Sequence, residues 1–194
     1  MPDSIAAVVL AAGFSRRFGS DKLLHPVALD GRAMPLAALS LQPWLEIFDN
    51  VCVVARPGME TQAVSDALGS DARRLHWEVC EDADQGMAAS LACGVRAYAG
   101  AAGWLIGLAD MPFIPASAIA GVKDALVNGA LLAAPSRCGR HGHPVGFSSR
   151  YRDELLALKG DRGARHILER DQVAEVEAEN DGIFADIDRP GDLK

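Results

Sequence analysis

Five short, largely apolar runs punctuate the chain: Ile5–Leu10, Val51–Ala55, Leu75–Val79, Trp104–Leu108 and Ala130–Ala134. Such runs are too short for helices, and strands buried on both faces lose the polar alternation of a half-exposed sheet. Between them the apolar period changes to that of a helix. Met87, Leu91, Val95 and Tyr98 share one helical face, with Gly100 as a stop signal. Ile119, Val122 and Leu126 repeat the spacing before Gly129, and Leu155, Leu156 and Leu158 do so before Gly160. Strand and helix therefore alternate, which predicts a three-layer α/β/α sandwich, Rossmann-like, with a mostly parallel sheet.

Two stretches depart from the alternation. An Asp30-Gly31 turn between short extended pieces predicts a small hairpin over 23–34. Pro144–Phe147 and Val173–Glu177 are expected as short edge strands. Neither a linker nor a repeat divides the 194 residues, so one domain, residues 1–194, is expected.

Charge narrows the partners. Acidic residues outnumber basic ones 26 to 19, giving a net charge of -7, which disfavours nucleic acid. A phosphorylated small molecule fits still, because a local cationic cluster can bind it. Cys52, Cys80, Cys93 and Cys138 show no CxxC spacing and are expected to be reduced, as in a cytoplasmic protein. The first residues carry no basic leader, and the apolar run 5–12 is too short to span a membrane.

In an open α/β sheet, ligands bind beyond the carboxyl ends of the strands. The loop after the first strand reads Ala11-Ala-Gly-Phe-Ser-Arg-Arg-Phe-Gly-Ser-Asp-Lys22. Small residues let backbone amides approach a phosphate, while Ser15, Arg16, Arg17 and Lys22 add donors and positive charge. The spacing is neither a P-loop nor GxGxxG. An ordinary turn with solvated cations is the bland alternative. The concentration of cations and glycines directly after a buried strand favours a triphosphate site, with Leu10, Ala11, Ala12 and Gly13 as its floor.

The whole segment fits LAAGxSxRxGxxK and resembles the N-terminal signature of small nucleotidyltransferases, in particular molybdenum cofactor cytidylyltransferases. Further motifs recur in that family's order over nearly the whole chain: Gly86–Leu91, Leu108–Pro112, Gly142–Gly146, Gly160–Arg165 and Asp186–Pro190. The resemblance implies a fold of the nucleotide-diphospho-sugar transferase type. It also implies a nucleotide site that includes Gly86 and Ser90.

Asp110 follows an apolar strand, so it should emerge at the sheet's carboxyl edge, where it can hold Mg²⁺ or cap the next helix. The basic loop on the same edge favours the metal. Asp186 and Asp188 share a face if extended, and the resemblance selects Asp188 as second metal ligand. It further implies an acceptor that is a phosphate monoester, such as molybdopterin or the molybdenum cofactor. That acceptor's oxygen attacks the α-phosphorus of CTP and releases pyrophosphate. The monoester is mostly doubly ionised at neutral pH, with a second pKa near ~6, so no general base is needed. Catalysis becomes charge management by Lys22, Arg17, Asp110 and Mg²⁺. Each close cation–phosphate contact contributes about 4 kcal/mol at an effective dielectric of about 20.

His141 and His143 form an HxH pair without a third ligand nearby, so a zinc site is disfavoured. His143, Arg162 and Arg165 are instead candidates for the acceptor site, by packing or by anion binding. Glu81, Asp82 and Asp84 are expected in a solvated loop, and the three tryptophans in the core. Related guanylyltransferases usually carry LAGG, so Ala12 favours CTP over GTP by analogy. The alternatives are a guanylyltransferase, a transferase for another phosphate acceptor, and a non-catalytic cofactor chaperone for a molybdenum hydroxylase.

Overall fold

The computed structural model describes residues 4–14, 18, 21–29, 32–161 and 163–192. In chain order the elements are β1 (Ile5–Leu10), β2 (Pro26–Leu29), β3 (Arg32–Pro35), α1 (Leu36–Ile47), β4 (Val51–Ala55) and α2 (Gln62–Leu68). There follow β5 (Leu75–Val79), α3 (Met87–Ala97), β6 (Gly103–Leu108), α4 (Ala116–Val127) and β7 (Leu132–Arg137). The last third holds β8 (Arg140–His141), β9 (Val145–Ser148), α5 (Arg152–Ala157), α6 (Arg165–Arg170) and β10 (Ala174–Glu177).

The main sheet runs β10-β7-β9-β6-β1-β4-β5, with β8 paired to β7. β1 pairs in parallel with both β4 and β6, and its neighbours' residues are level with its own: Leu10 stands beside Val54 and Leu108. Two backbone bonds extend this alignment past the strand ends, Ala11 N–H to Val54 O at 2.8 Å and Ala109 N–H to Leu10 O at 3.0 Å. The chain winds from β1 outwards through β4 and β5, then crosses to β6 on the other side of β1. That reversal opens a crevice at the carboxyl ends of β1 and β6.

Both faces of the sheet are covered. Ala7, Val9 and Ala11 face a core built with Leu41 and Trp44 of α1, Val64 of α2 and Ile119 of α4. Ala6, Val8, Leu10 and Ala12 face the other, with Leu91 and Val95 of α3, Leu155 of α5 and Ile167 of α6. The expected three layers are present. β2 and β3 form the expected antiparallel hairpin, whose Asp30-Gly31 turn lies outside the described residues.

Two expectations about strands fail. Leu75–Val79 is not buried on both faces: β5 is the outer strand of the sheet beside β4, and none of its five residues is buried. Nor is Pro144–Phe147 an edge strand. β9 lies inside the sheet, antiparallel to both β6 and β7. The reason is Gly146, where an added Cβ would stand 2.9 Å from side-chain atoms of both Val122 and Leu126. Helix α4 thus lies directly on the β9 backbone and supplies the apolar cover that the strand's own residues do not advertise. The other expected edge strand is an edge: β10 pairs in parallel with β7 alone.

Candidate nucleotide and acceptor site

Two strand ends, those of β1 and β6, deliver residues to the crevice at one level. Beyond β1, Ala11 and Ala12 are 1% and 3% exposed and leave the chain surfacing at Gly13. A Cβ built on Gly13 would meet nothing within 4 Å. The backbone there borders open space, as an anion cradle requires. Ser15, Arg16, Arg17 and Arg162 lie outside the described residues.

A cavity of about 350 Å³ fills the crevice. Leu10, Ala11, Ala12 and Gly13 line one side, and Lys22 and Asp110 another. Gly86 and the buried Ser90, at the start and within the second turn of α3, close the far wall. Every described residue expected to bind nucleotide therefore borders one space. Gly86 has φ near 110° and lies so close to the 160–161 turn that an added Cβ would overlap Asp161 Oδ1 and stand 2.8 Å from the Gly160 carbonyl. Gly86→Ala is expected to cost about 1–3 kcal/mol through forced backbone strain and to raise the nucleotide KM. Urea unfolding and initial rates would check both.

At the centre, Lys22 Nζ donates to Asp110 Oδ2 at 2.7 Å and to Asp188 Oδ1 at 3.0 Å. Burial, the largest influence on this amine, would lower its pKa; the bonds and charges of Asp110 and Asp188 outweigh it, so the value is raised. The other oxygen of Asp110, Oδ1, is buried without a hydrogen-bond partner. Such an orphaned acceptor suits a cation. The helix-capping alternative fails, because α4 begins only at Ala116 with Pro115 at its cap position. Two carboxylates, one with an orphaned oxygen, fit Mg²⁺, which completes its shell with water and phosphate oxygens.

Asp188 reaches Asp110 across a long stretch of sequence through its neighbour. Ile187 is 1% exposed in the α1–α4 core, and its N–H donates to the Asp110 carbonyl at 3.0 Å. Asp192 Oδ2 accepts from the N–H groups of Asp188 and Arg189 at 3.0 and 2.8 Å. Asp192 thus performs the turn-capping role, and the Asp188 carboxylate points to Lys22. Asp186 is exposed.

A second cavity, of about 600 Å³, shares Leu10, Met87, Leu108 and Asp161 with the first. His143, Arg165 and Arg140 line it. His143 Nδ1 is buried without a hydrogen-bond partner, and burial pushes its pKa below the ordinary value despite the opposing charge of Asp110. His141 lines the cavity too, and pairs with Glu175 at 3.1 Å. Among the described residues no three His, Cys, Asp or Glu side chains are grouped to hold a metal. Arg165 is exposed and pairs with Glu169 at 3.1 Å. Arg140, which no motif marks, lies over the Phe184 ring at 4.6 Å; only its place on a two-residue strand beside the GHP turn signals it.

A family model described as a MobA-like NTP transferase domain matches residues 7–176. The chain belongs to the MobA-like nucleotidyltransferases. It is 34% identical over 200 residues to purine catabolism protein PucB of Bacillus subtilis (strain 168), covering 96% of this chain and 92% of that one. A solved homologue of Mycobacterium tuberculosis Rv0371c, from Mycobacterium sp. strain JC1, superposes with a TM-score of 0.77 at 27% identity, covering 97% of this chain and 92% of that one. Molybdopterin-guanine dinucleotide biosynthesis protein A from Archaeoglobus fulgidus shares the fold, with a TM-score of 0.66 at 23% identity over 97% and 95% of the two chains. In this MobA-like chain the first cavity lies at the switch point between β1 and β6, where doubly wound sheets generally bind ligands. Among the described residues no helix is long and apolar enough to cross a membrane.

Proposed function

We propose that this MobA-like transferase moves CMP from CTP to the terminal phosphate of molybdopterin or molybdenum cofactor, releasing pyrophosphate. The observation that carries the reading is the Lys22–Asp110–Asp188 cluster, whose Lys22 and Asp110 line one cavity that abuts a second. Two anions must meet for this reaction, and the two cavities share a border at which to meet.

The acceptor phosphate oxygen attacks the α-phosphorus from the side of the second cavity. A P–O bond forms there, the bond to the β-phosphate oxygen breaks, and pyrophosphate leaves with the electron pair. No proton need be removed, since the attacking monoester is largely a dianion above its second pKa of ~6. This agrees with a His143 that burial holds neutral and that is therefore no cationic trap for the acceptor. Lys22 and Arg17 bind the phosphate chain, and Arg162 and Arg165 draw the acceptor. Asp110 and Asp188 would hold Mg²⁺, which supplies charge neutralisation as pyrophosphate departs. A carrier that only delivers finished cofactor has no use for this cluster.

Ala12 borders the nucleotide cavity and is 3% exposed; its methyl group narrows that floor and supports a pyrimidine. Initial rates of pyrophosphate release, with CTP and GTP compared on the same pterin phosphate, test the choice. CTP is expected to be faster, and a GTP preference would make the protein a guanylyltransferase. We assign the enzyme to the cytoplasm, with a molybdenum hydroxylase as recipient of the product. The free, buried Cys52, Cys80 and Cys93 support a reducing compartment.

A further inference from the structure

We propose that Arg56 is a clasp joining the two ends of the phosphate loop, and that it sets the position of Lys22. The inference rests on the reading that this loop binds a nucleoside triphosphate. Arg56 is the first residue after β4, and β4 is level with β1, so its side chain starts beside the loop. Its Nη2 meets Asp21 Oδ2 at 2.5 Å, and its Nη1 donates to the Gly13 carbonyl at 3.4 Å. The guanidinium carbon lies 5.7 Å from the centre of the Phe14 ring. Gly13 is where the chain leaves the β1 core, and Asp21 immediately precedes Lys22. One planar cation thus touches both the entrance and the exit of the loop.

The contact is sheltered, with the Arg56 and Asp21 side chains 17% and 18% exposed. Asp21 spends its two oxygens on different partners. While Oδ2 holds Arg56, Oδ1 accepts the Leu23 N–H at 3.3 Å and caps the Lys22–Leu24 turn. The ion pair therefore transmits the position of rigid β4 to the turn that carries Lys22. A loop closed before the triphosphate arrives loses less conformational freedom on binding, so the clasp favours affinity by pre-organisation. The two contacts use separate nitrogens of the guanidinium fork, an arrangement that the single nitrogen of a lysine does not reproduce.

Arg56 could instead be a phosphate ligand that Asp21 masks, and the two roles predict opposite signs for one variant. Binding of CTP and of GTP, each with Mg²⁺ and without acceptor, is measured by calorimetry for wild type, Arg56→Met, Arg56→Lys and Asp21→Asn. A clasp makes Asp21→Asn weaken nucleotide binding by about tenfold, like Arg56→Met, with Arg56→Lys only partly restoring it. The double variant is then no worse than either single, because both remove the same contact. The acceptor KM stays within about twofold, a split that general unfolding would not give. Tighter binding by Asp21→Asn, or wild-type binding by both single variants, overturns the clasp. If wild type binds neither nucleotide, the reading beneath it fails instead. Should Arg56→Met not fold, the sign of the Asp21→Asn effect decides alone.

Discussion

Replacing Asp110 with Asn is expected to lower turnover by about a hundredfold to a thousandfold while leaving the fold in place. The size follows from what the carboxylate is needed for. On the proposed reading Asp110 would help hold a dication that neutralises charge as pyrophosphate leaves, and losing one such preorganised electrostatic element commonly costs about 10²–10³ in rate. Asparagine keeps the shape but removes the charge, and its amide hydrogens face either Lys22, itself a donor, or the enclosed space around Oδ1. Structure should survive for two reasons. The Asp110 carbonyl, which holds Ile187, is untouched by a side-chain change. The buried Oδ1 makes no hydrogen bond that would be lost. Saturating-nucleotide kcat together with a thermal midpoint separates the two outcomes, and near-normal turnover would remove Asp110 from the chemistry.

Lys22→Met should produce two effects of opposite sign. Nucleotide affinity and turnover are expected to fall by about a hundredfold, since the point charge proposed to bind the phosphate chain is gone. Divalent metal in the absence of nucleotide binds more tightly, because the ammonium no longer lies against Asp110 Oδ2 and Asp188 Oδ1. In the wild type, lysine must leave those oxygens before a dication can use them both, so metal is expected to enter with the nucleotide. Manganese titration of the nucleotide-free protein gives the sign, and unchanged or weaker metal binding in the variant would contradict the competition. The pH dependence has a definite direction too. The folded pKa of Lys22 is raised above the ordinary 10.5, so the ion pair's stability is present at neutral pH and is lost as pH rises through that higher value.

The sequence discloses the fold where local pattern and burial agree. Val8 and Val9 are both 0% exposed on opposite faces of one strand, which is what an unbroken apolar run means. It discloses less where another element supplies the reason. β9 looks like an edge because Gly146 carries no side chain of its own against α4. Helix α1 is hard to read for a different cause: eight of its twelve residues are buried and Pro43 sits inside it, so neither an amphipathic stripe nor a clean run marks it. At the site, the loop motif and Asp110 are visible because they directly follow predicted strands. The approach of Asp188 to Asp110 is not, since it depends on a backbone bond from Ile187 that no local spacing encodes. Arg56 leaves only the faint signal of a cation placed directly after a buried strand.

The most direct measurement follows the α-phosphorus itself. CTP labelled with ³²P at that position is incubated with the protein and a pterin phosphate, with Mg²⁺ or with EDTA. The label is expected in a pterin–cytidine dinucleotide when Mg²⁺ is present, and to stay in CTP when it is chelated. Label that remains in CTP under both conditions would contradict the assignment.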